Sequence, residues 1–432
     1  MVTSIVFFAL TVLGVIFSIV FGLHFKIGKT NVSLYWIVAV AGALCTVLFG
    51  LVTFEDIRAS FFTNTAVNPL KILVLFLSMT VISVFLDEAG FYGHIAAVAV
   101  KRAGKNQKKL FLLLYGLVSV LTVFTSNDII ILTFTPFILY FSQKSDIDPA
   151  PYIFGEFVAA NTWSMFFVFG NPTNIYIATA FGVDFVTYAI VMAPVTILSG
   201  LTALGILLLI FRKPLSKPIG SLMVEQAPED RVSSIIGIVF LALCIVGMAI
   251  ASYVGFEMWP IALLFGALCL ILAAICLKAR HKDMGEISHT IKKLPWPLIP
   301  FLLAMFLLII SLERSGVTEL LSSAIPDNLF VYGFASFLGC NIFNNIPMSV
   351  LFTSLLGASP DLGSVYSVII GSNLGALFTP VGALAGIMWM NIIRDHSIRF
   401  AFLTFMKYGA AISLPLLAVT LGGLYFALLF GI

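Results

Sequence analysis

Two stretches of this chain carry polar, helix-breaking residues in surroundings that are otherwise apolar. The first runs from Phe124 to Ile175 and reads FTSND…FTP, then ANTWSMFFVFGNPTNI. The second runs from Cys340 to Met388 and reads CNIFNNIP, then GSNLGALFTPVGALAGIM. Lipid offers no partner to a freed backbone group, so such runs are tolerated only against protein or a water-filled cavity. The rest of the chain is lipid-like. It is 60% hydrophobic and 10% charged, with a mean hydropathy of +1.11. A soluble domain is about 25% charged. The chain therefore reads as an all-α polytopic membrane protein. A net charge of +3 gives no reason to expect a nucleic-acid partner.

Apolar runs long enough to span occur at about 3–22, 33–53, 69–90, 185–211, 232–253, 257–277, 295–316 and 400–430. The first is too long for a signal-peptide core and lacks a cleavage pattern, so it is kept as a span. Four further stretches, 110–142, 151–180, 327–357 and 364–393, are interrupted.

Basic residues set the orientation. They crowd loops at Lys101–Lys109, Arg212–Lys217 and Lys278–Lys293, and Arg394 and Arg399 bracket a fourth. The positive-inside rule makes all four cytoplasmic. Parity then works if 110–142 is a re-entrant hairpin entering from the cytoplasm, with arms of about 15 residues, too short to span. By the same logic 327–357 enters from the opposite side and turns at Asn344-Asn345. The expectation is ten spans and two hairpins, with both termini outside. Twelve spans have the same parity.

Leu86-Asp87-Glu88-Ala89-Gly90 resembles Leu312-Glu313-Arg314-Ser315-Gly316. Each ends an apolar helix and precedes a hairpin and then a broken helix with Asn near its middle, Asn161 or Asn373. The two halves, 1–211 and 232–432, read as an inverted repeat joined by a cytoplasmic linker, 212–231, that carries Pro214, Pro218, Gly220, Glu225 and Pro228. Inverted repeats with paired discontinuous helices are a signature of secondary transporters, with the site where the repeats meet.

The candidate site follows. Ser126, Asn127 and Asp128 form the first hairpin turn, and Asn344, Asn345 and Pro347 the second. Asn161, Gly170, Asn171, Pro172, Thr173 and Asn174 break one helix. Ser372, Asn373, Thr379, Pro380 and Gly382 break its counterpart. Asn amides both donate and accept, and helix N-termini suit anions. Asp128 is the sharpest candidate, because an ionised carboxylate at mid-membrane costs about 2.5–3.5 kcal/mol on insertion scales. It can carry a proton or ligate Na⁺, with Asn127, Asn344 and Asn373 as further Na⁺ ligands. It also suits a helix N-cap. Glu156 ranks second for proton coupling. Asp87, Glu88, Glu313 and Arg314 read as interfacial ion pairs, or as a gate between scaffold and moving parts. Gly371/Gly375 and Gly382/Gly386 have spacing for close helix approach. The five cysteines read as small buried residues. No nucleotide-binding GxxxxGK[ST] run, HExxH or GxSxG is present, and no nucleophile or metal cluster at depth points to an enzyme. No cofactor is implied beyond Na⁺ or H⁺ as coupling ion.

The stretches FLDEAGF, SNDIIILTFTP, FNNIPMSVLFTSLL and GSNLGALFTPVGALAGIMW resemble the ArsB arsenite permease family. That family belongs to an ion-transporter superfamily with the NhaD sodium/proton antiporters and the divalent-anion/sodium symporters. The resemblance covers nearly the whole chain. It implies a plasma-membrane transporter of arsenite, antimonite or a related anion, with the residues named above as half-sites. It also implies hairpins that move against a scaffold, a homodimer, and a soluble ATPase partner if the protein is an arsenite pump. Ala383 stands where that family commonly has Ser, and GNPTN looks more like anion or citrate permeases. The alternatives are a Na⁺/H⁺ antiporter and a Na⁺-coupled carboxylate transporter.

Overall fold

Helices dominate because the chain must satisfy its own backbone within each apolar segment. The structure is a computed structural model that describes residues 1–27, 30–62, 68–220, 229–357, 360–396 and 402–431. Glu225 and Pro228 of the linker, and Arg399 of the fourth basic loop, lie outside the described residues. The first half contains α1 (Val2–Val20), α2 (Tyr35–Leu48), α3 (Phe54–Phe62), α4 (Pro69–Glu88), α5 (Phe91–Ala103), α6 (Gln107–Phe124), α7 (Asn127–Lys144), α8 (Ala150–Trp163), α9 (Pro172–Ala180) and α10 (Phe185–Ile210). A short α11 (Arg212–Leu215) follows. The second half contains α12 (Arg231–Val254), α13 (Met258–Ala279), α14 (Gly285–Lys293), α15 (Leu298–Arg314), α16 (Val317–Ala324), α17 (Leu329–Phe343), α18 (Asn345–Leu356), α19 (Leu362–Gly375), α20 (Leu384–Asp395) and α21 (Phe402–Leu429). Among the described residues, each half thus has ten helices in the same order. In each, a one-turn 3-10 helix, Val168–Gly170 or Pro380–Gly382, sits inside the broken helix.

The packing repeats as well. α2 lies on α15 as α13 lies on α4, α6 on α8 as α17 on α19, and α7 on α20 as α18 on α9, while α10 pairs with its own counterpart α21. Each half therefore completes its fold by packing on the other.

Among the described residues, eight helical segments have the length and hydropathy to cross a membrane. Their outer faces remain apolar and exposed, as at Ile235 and Ile250 on α12 and Leu264 and Ile271 on α13. Exposed apolar area of that extent marks a lipid-facing surface. Several helices start on a side-chain cap: Asn68, Asn106, Asp184, Asp230, Asn328 and Asp361 accept backbone N–H groups of the first turn.

Several sequence expectations change in detail. The run at 33–53 gives only a 14-residue α2, about 21 Å long; α3 follows it as a separate piece. The arms of the first hairpin are 18 residues each, longer than the expected 15 or so, and α6 by itself is apolar and long enough to cross. The arms of the second, 15 and 12 residues, are short. Strands His24–Ile27 and Thr30–Ser33 form a small antiparallel pair that the all-α reading did not contain. Helices α3 and α14 were also unforeseen, since both are short and polar at the surface.

Both hairpins return to the side they started from. The Tyr152 hydroxyl, near the start of α8, donates to Gln107 Oε1 at the start of α6 (3.0 Å). Ser364, near the start of α19, donates to Asp327 just before α17 (3.1 Å). Contacts also sort the loops. Lys293 pairs with Asp87 (3.3 Å) and with Glu88, Ile219 N–H donates to Lys105 O (3.0 Å), and Asp230 N–H donates to Ala89 O (2.9 Å). Arg280 and Lys282 each reach the Asp230 carboxylate at 2.8 Å, and the Arg280 hydrogen bonds hold that carboxyl well below the usual range. The described basic loops 101–109, 212–217 and 278–293 are thereby tied to one face. Lys71–Glu257 (2.6 Å) and Arg314–Asp56 tie segments of the other.

Small residues let α17 and α19 touch. A Cβ on Gly371 would lie 2.0 Å from Ser336 Oγ and 2.4 Å from Gly333 O, and one on Gly375 would lie 2.8 Å from Phe337 O. Gly371→Ala is therefore expected to force α19 off α17 and to cost about 1–3 kcal/mol, the usual size of overpacking. Gly422→Ala, where a Cβ meets nothing within 4 Å, should not destabilise the protein. Thermal unfolding of the two purified variants in one detergent checks the difference.

Candidate functional site

Four chain interruptions meet at the centre of the molecule. Two are hairpin turns, at Ser126 and at Asn344; two are the breaks between α8 and α9 and between α19 and α20. Helices α7, α18, α9 and α20 start there. Their free N–H groups and partial positive charge suit oxygen-bearing solutes.

In the first turn, Asn127 Nδ2 donates to Asn161 Oδ1 (3.3 Å), and Asn161 Nδ2 donates to Phe157 O (2.9 Å). Asn127 Oδ1 accepts the Asp128 backbone N–H (3.0 Å). The turn is therefore level with the end of α8, and α9 continues beyond it. Ser126 Oγ is buried with no hydrogen-bond partner among the described residues.

In the first break, Pro172 opens α9 and Asn171 caps it, accepting Thr173 N–H (3.2 Å) and Thr173 Oγ1–H (3.1 Å). Asn174 Nδ2 donates to Ser164 O (2.9 Å). Gly170 is required, because a Cβ there would lie 2.2 Å from Ser164 O.

The second half repeats this with differences. Asn344 has φ +73°, a conformation that Asn tolerates better than most residues. Its Oδ1 accepts Ile346 N–H (3.4 Å) and its Nδ2 donates to Val381 O (2.9 Å). Thr379 Oγ1 donates to Asn341 Oδ1 (2.6 Å), and Asn341 Nδ2 donates to Gly375 O (3.0 Å). Gly382 leaves room for that amide: a Cβ would sit 3.0 Å from Asn341 Oδ1. Pro347 lies in the first turn of α18. Asn345 Oδ1 is buried with no hydrogen-bond partner among the described residues.

The halves are joined by Asn373. Its Oδ1 accepts from Ser164 Oγ (3.0 Å) and Asn171 Nδ2 (2.9 Å), and its Nδ2 donates to Asn174 Oδ1 (2.7 Å) and Ile369 O (2.8 Å). Ser372 Oγ donates to Thr173 Oγ1 (2.9 Å) beside it. Of the four residues expected to share a Na⁺, Asn127, Asn344 and Asn373 already spend their amide oxygens on protein donors. Among the described residues, only the half-buried Asp128 carboxylate of these four keeps its oxygens free of protein hydrogen bonds.

Asp128 and Ser126 line a cavity of about 180 Å³, with Tyr35, Thr80, Asn391 and Lys293. Lys293 is its only cation among the described residues, and that ammonium is engaged by Asp87 and Glu88. Lys293 and Asn391 place the cavity mouth on the face of the basic loops. A second cavity of about 580 Å³, lined by Glu313, Thr353, Ser354 and Tyr176, approaches from α9 and α18. It does not reach the Asn344 turn. Glu156, also expected near the site, is buried in α8 and bonded to Thr135.

Sequence reasoning missed Asn341, Ser164 and Lys293. Asn341 stands three residues before Asn344, and Ser164 three after Asn161, so both had a helical-face signal. Lys293 had none, since 165 residues separate it from Asp128.

A family model described as citrate transporter matches residues 30–368. The chain belongs to the citrate transporter family. It is 27% identical over 418 residues to an arsenical pump membrane protein of Escherichia coli, covering 91% of this chain and 93% of that one. It is 25% identical over 442 residues to a putative arsenical pump membrane protein of Bacillus subtilis (strain 168), covering 92% and 97%. The crystal structure of the Alcanivorax borkumensis YdaH transporter matches the fold with a TM-score of 0.57 at 16% identity, covering all of this chain and 98% of that one. These matches agree with the resemblance drawn from the motifs, and they make this member of the citrate transporter family a membrane transporter.

Asn373→Ala would strand Asn171 Nδ2 and Asn174 Oδ1, while Ser164 Oγ keeps its bond to Asn161 O (3.0 Å). Leaving a buried group unpaired costs about 1–3 kcal/mol. The expected result is a clear drop in the unfolding temperature in detergent, with Asn345→Ala, which breaks no bond, shifting it much less. The reverse order would remove Asn373 as the link between halves.

Proposed function

We propose that the chain is a secondary active transporter of a small hydroxylated inorganic solute, arsenite or antimonite in its uncharged acid form, across the plasma membrane. The observation that carries this is the charge of the central cavity. It ends on Asp128 and a buried serine hydroxyl, and its one cation is spent on two carboxylates at the mouth. A polyanion would enter against that carboxylate, whereas a neutral solute with several hydroxyls can donate to Asp128 and accept from Ser126 and the helix N-termini. The names of the relatives support the same class.

On this reading the two halves are inverted, the basic loops are cytoplasmic and both termini are outside. The structure is then the state in which the site opens inward. Asp128 either takes up a proton or holds a Na⁺ as solute passes, and access alternates as hairpins and broken helices shift against α4 and α15. The name of the family model favours a second reading, a carboxylate substrate; that solute needs a coupling cation on Asp128 to offset its charge.

Proteoliposomes loaded with arsenite or with citrate, with a pH or a Na⁺ gradient imposed, separate the two. Arsenite should move and citrate should not; citrate transport without arsenite transport would reverse the assignment. Asp128→Asn should fold normally and lose gradient-driven transport by about tenfold or more, the equivalent of one lost charged hydrogen bond. Full transport by that variant at every pH would take Asp128 out of the mechanism.

A further inference from the structure

Away from the hairpin tips lies a second buried carboxylate. Glu156 is 2% exposed, in the middle of α8. None of the ion pairs among the described residues includes it. An ionised carboxylate so placed is costly unless paired.

Its contact is specific. Thr135 Oγ1, on the second arm of the first hairpin, lies 3.1 Å from one Glu156 oxygen and 3.0 Å from the other. A hydroxyl has one hydrogen to give and lone pairs to receive. With the carboxyl protonated, both contacts are full hydrogen bonds: the hydroxyl donates to one oxygen, and the protonated oxygen donates back. The Trp389 indole of α20, from the other half, lies beside the same carboxyl, among Phe154, Phe157 and Phe405. The other titratable groups on the helices packed around α8 are Lys108, Lys109 and Tyr115 on α6, Asp128, Tyr140 and Lys144 on α7, Tyr188 on α10 and Tyr366 on α19, with Tyr152 on α8 itself, Arg394 on α20, and Lys407, Tyr408 and Tyr425 on α21. Among the described residues, no hydrogen bond or ion pair joins any of them to Glu156.

The contact also sits where α7 is weakest. Pro136 follows Thr135 inside the helix, removing a backbone hydrogen bond and loosening the arm there. Thr135 is seven residues from Asp128, about two helical turns, so both project from one face of α7. A shift of this arm changes the surroundings of both carboxyls at once.

We infer that Glu156 is a proton-carrying site of the transport cycle, holding its proton while the α7 arm is docked on α8 through Thr135 and releasing it when the arm moves away. The inference rests on the transporter reading above and supplies a coupling proton. One proton binds the carboxylate from water on one side of the membrane and leaves to water on the other; no other bond is made or broken.

The test uses the full chain in proteoliposomes. Infrared difference spectra at neutral pH should show a protonated-carboxyl C=O band in the wild type that Glu156→Gln removes and Thr135→Val shifts to higher frequency. Glu156→Gln should still exchange arsenite at zero gradient but lose accumulation driven by a pH gradient. A wild type with no such band, or Glu156→Gln accumulating arsenite on a pH gradient as the wild type does, overturns the inference. If the wild type moves no arsenite, the substrate reading fails while the infrared result still decides Glu156. If Glu156→Gln does not fold, the shift in Thr135→Val decides it.

Discussion

A broken helix inside a membrane must find new partners for the backbone and cap groups it frees, because lipid supplies none. The architecture of this transporter depends on how that requirement is met. The break after α8 is not closed within its own half. Asn171 Nδ2 and Asn174 Oδ1 are satisfied by a single amide, Asn373, from the other half, which also accepts from Ser164 Oγ. The reciprocal packing of α13 on α4 and α2 on α15 follows the same plan. Neither half is complete alone, and the proposed solute site lies where each completes the other.

The repeat is regular in order but unequal in chemistry. The first turn pairs Asn127 with Asn161. The second offers Asn345 in the equivalent place, but Asn373 is fully engaged and Asn345 keeps a free oxygen. The first turn carries Asp128 where the second has Ile346. The turn carboxylate thus comes from one half and the cross-half amide from the other, so the two turns differ in chemistry even though the helices follow the same order.

Much of the fold was legible in the sequence. Interrupted apolar runs located both hairpins and both broken helices, because Asn, Gly and Pro at such depth have few other uses. Basic loops ordered the ends, and the contacts of Lys105, Asp230 and Lys293 join them on one face. Lengths were less legible. α2 came out shorter than its apolar run, since Gly50, at φ +67°, ends the helix while apolar residues continue. The arms of the first hairpin came out longer, because hydropathy does not show where a polar helix end stops.

The sequence by itself determined that the chain lives in lipid, that it repeats, and which polar residues lie at depth; composition and periodicity are local properties. Only the tertiary structure decided what those residues do. Asn373 became a clasp between halves, Asp128 a cavity wall and Glu156 the partner of Thr135. Lys293 came to stand at the mouth of a cavity formed 165 residues away. Hydrogen-bond partners and charge neutralisation are set by three-dimensional proximity, and no spacing along the chain encodes them.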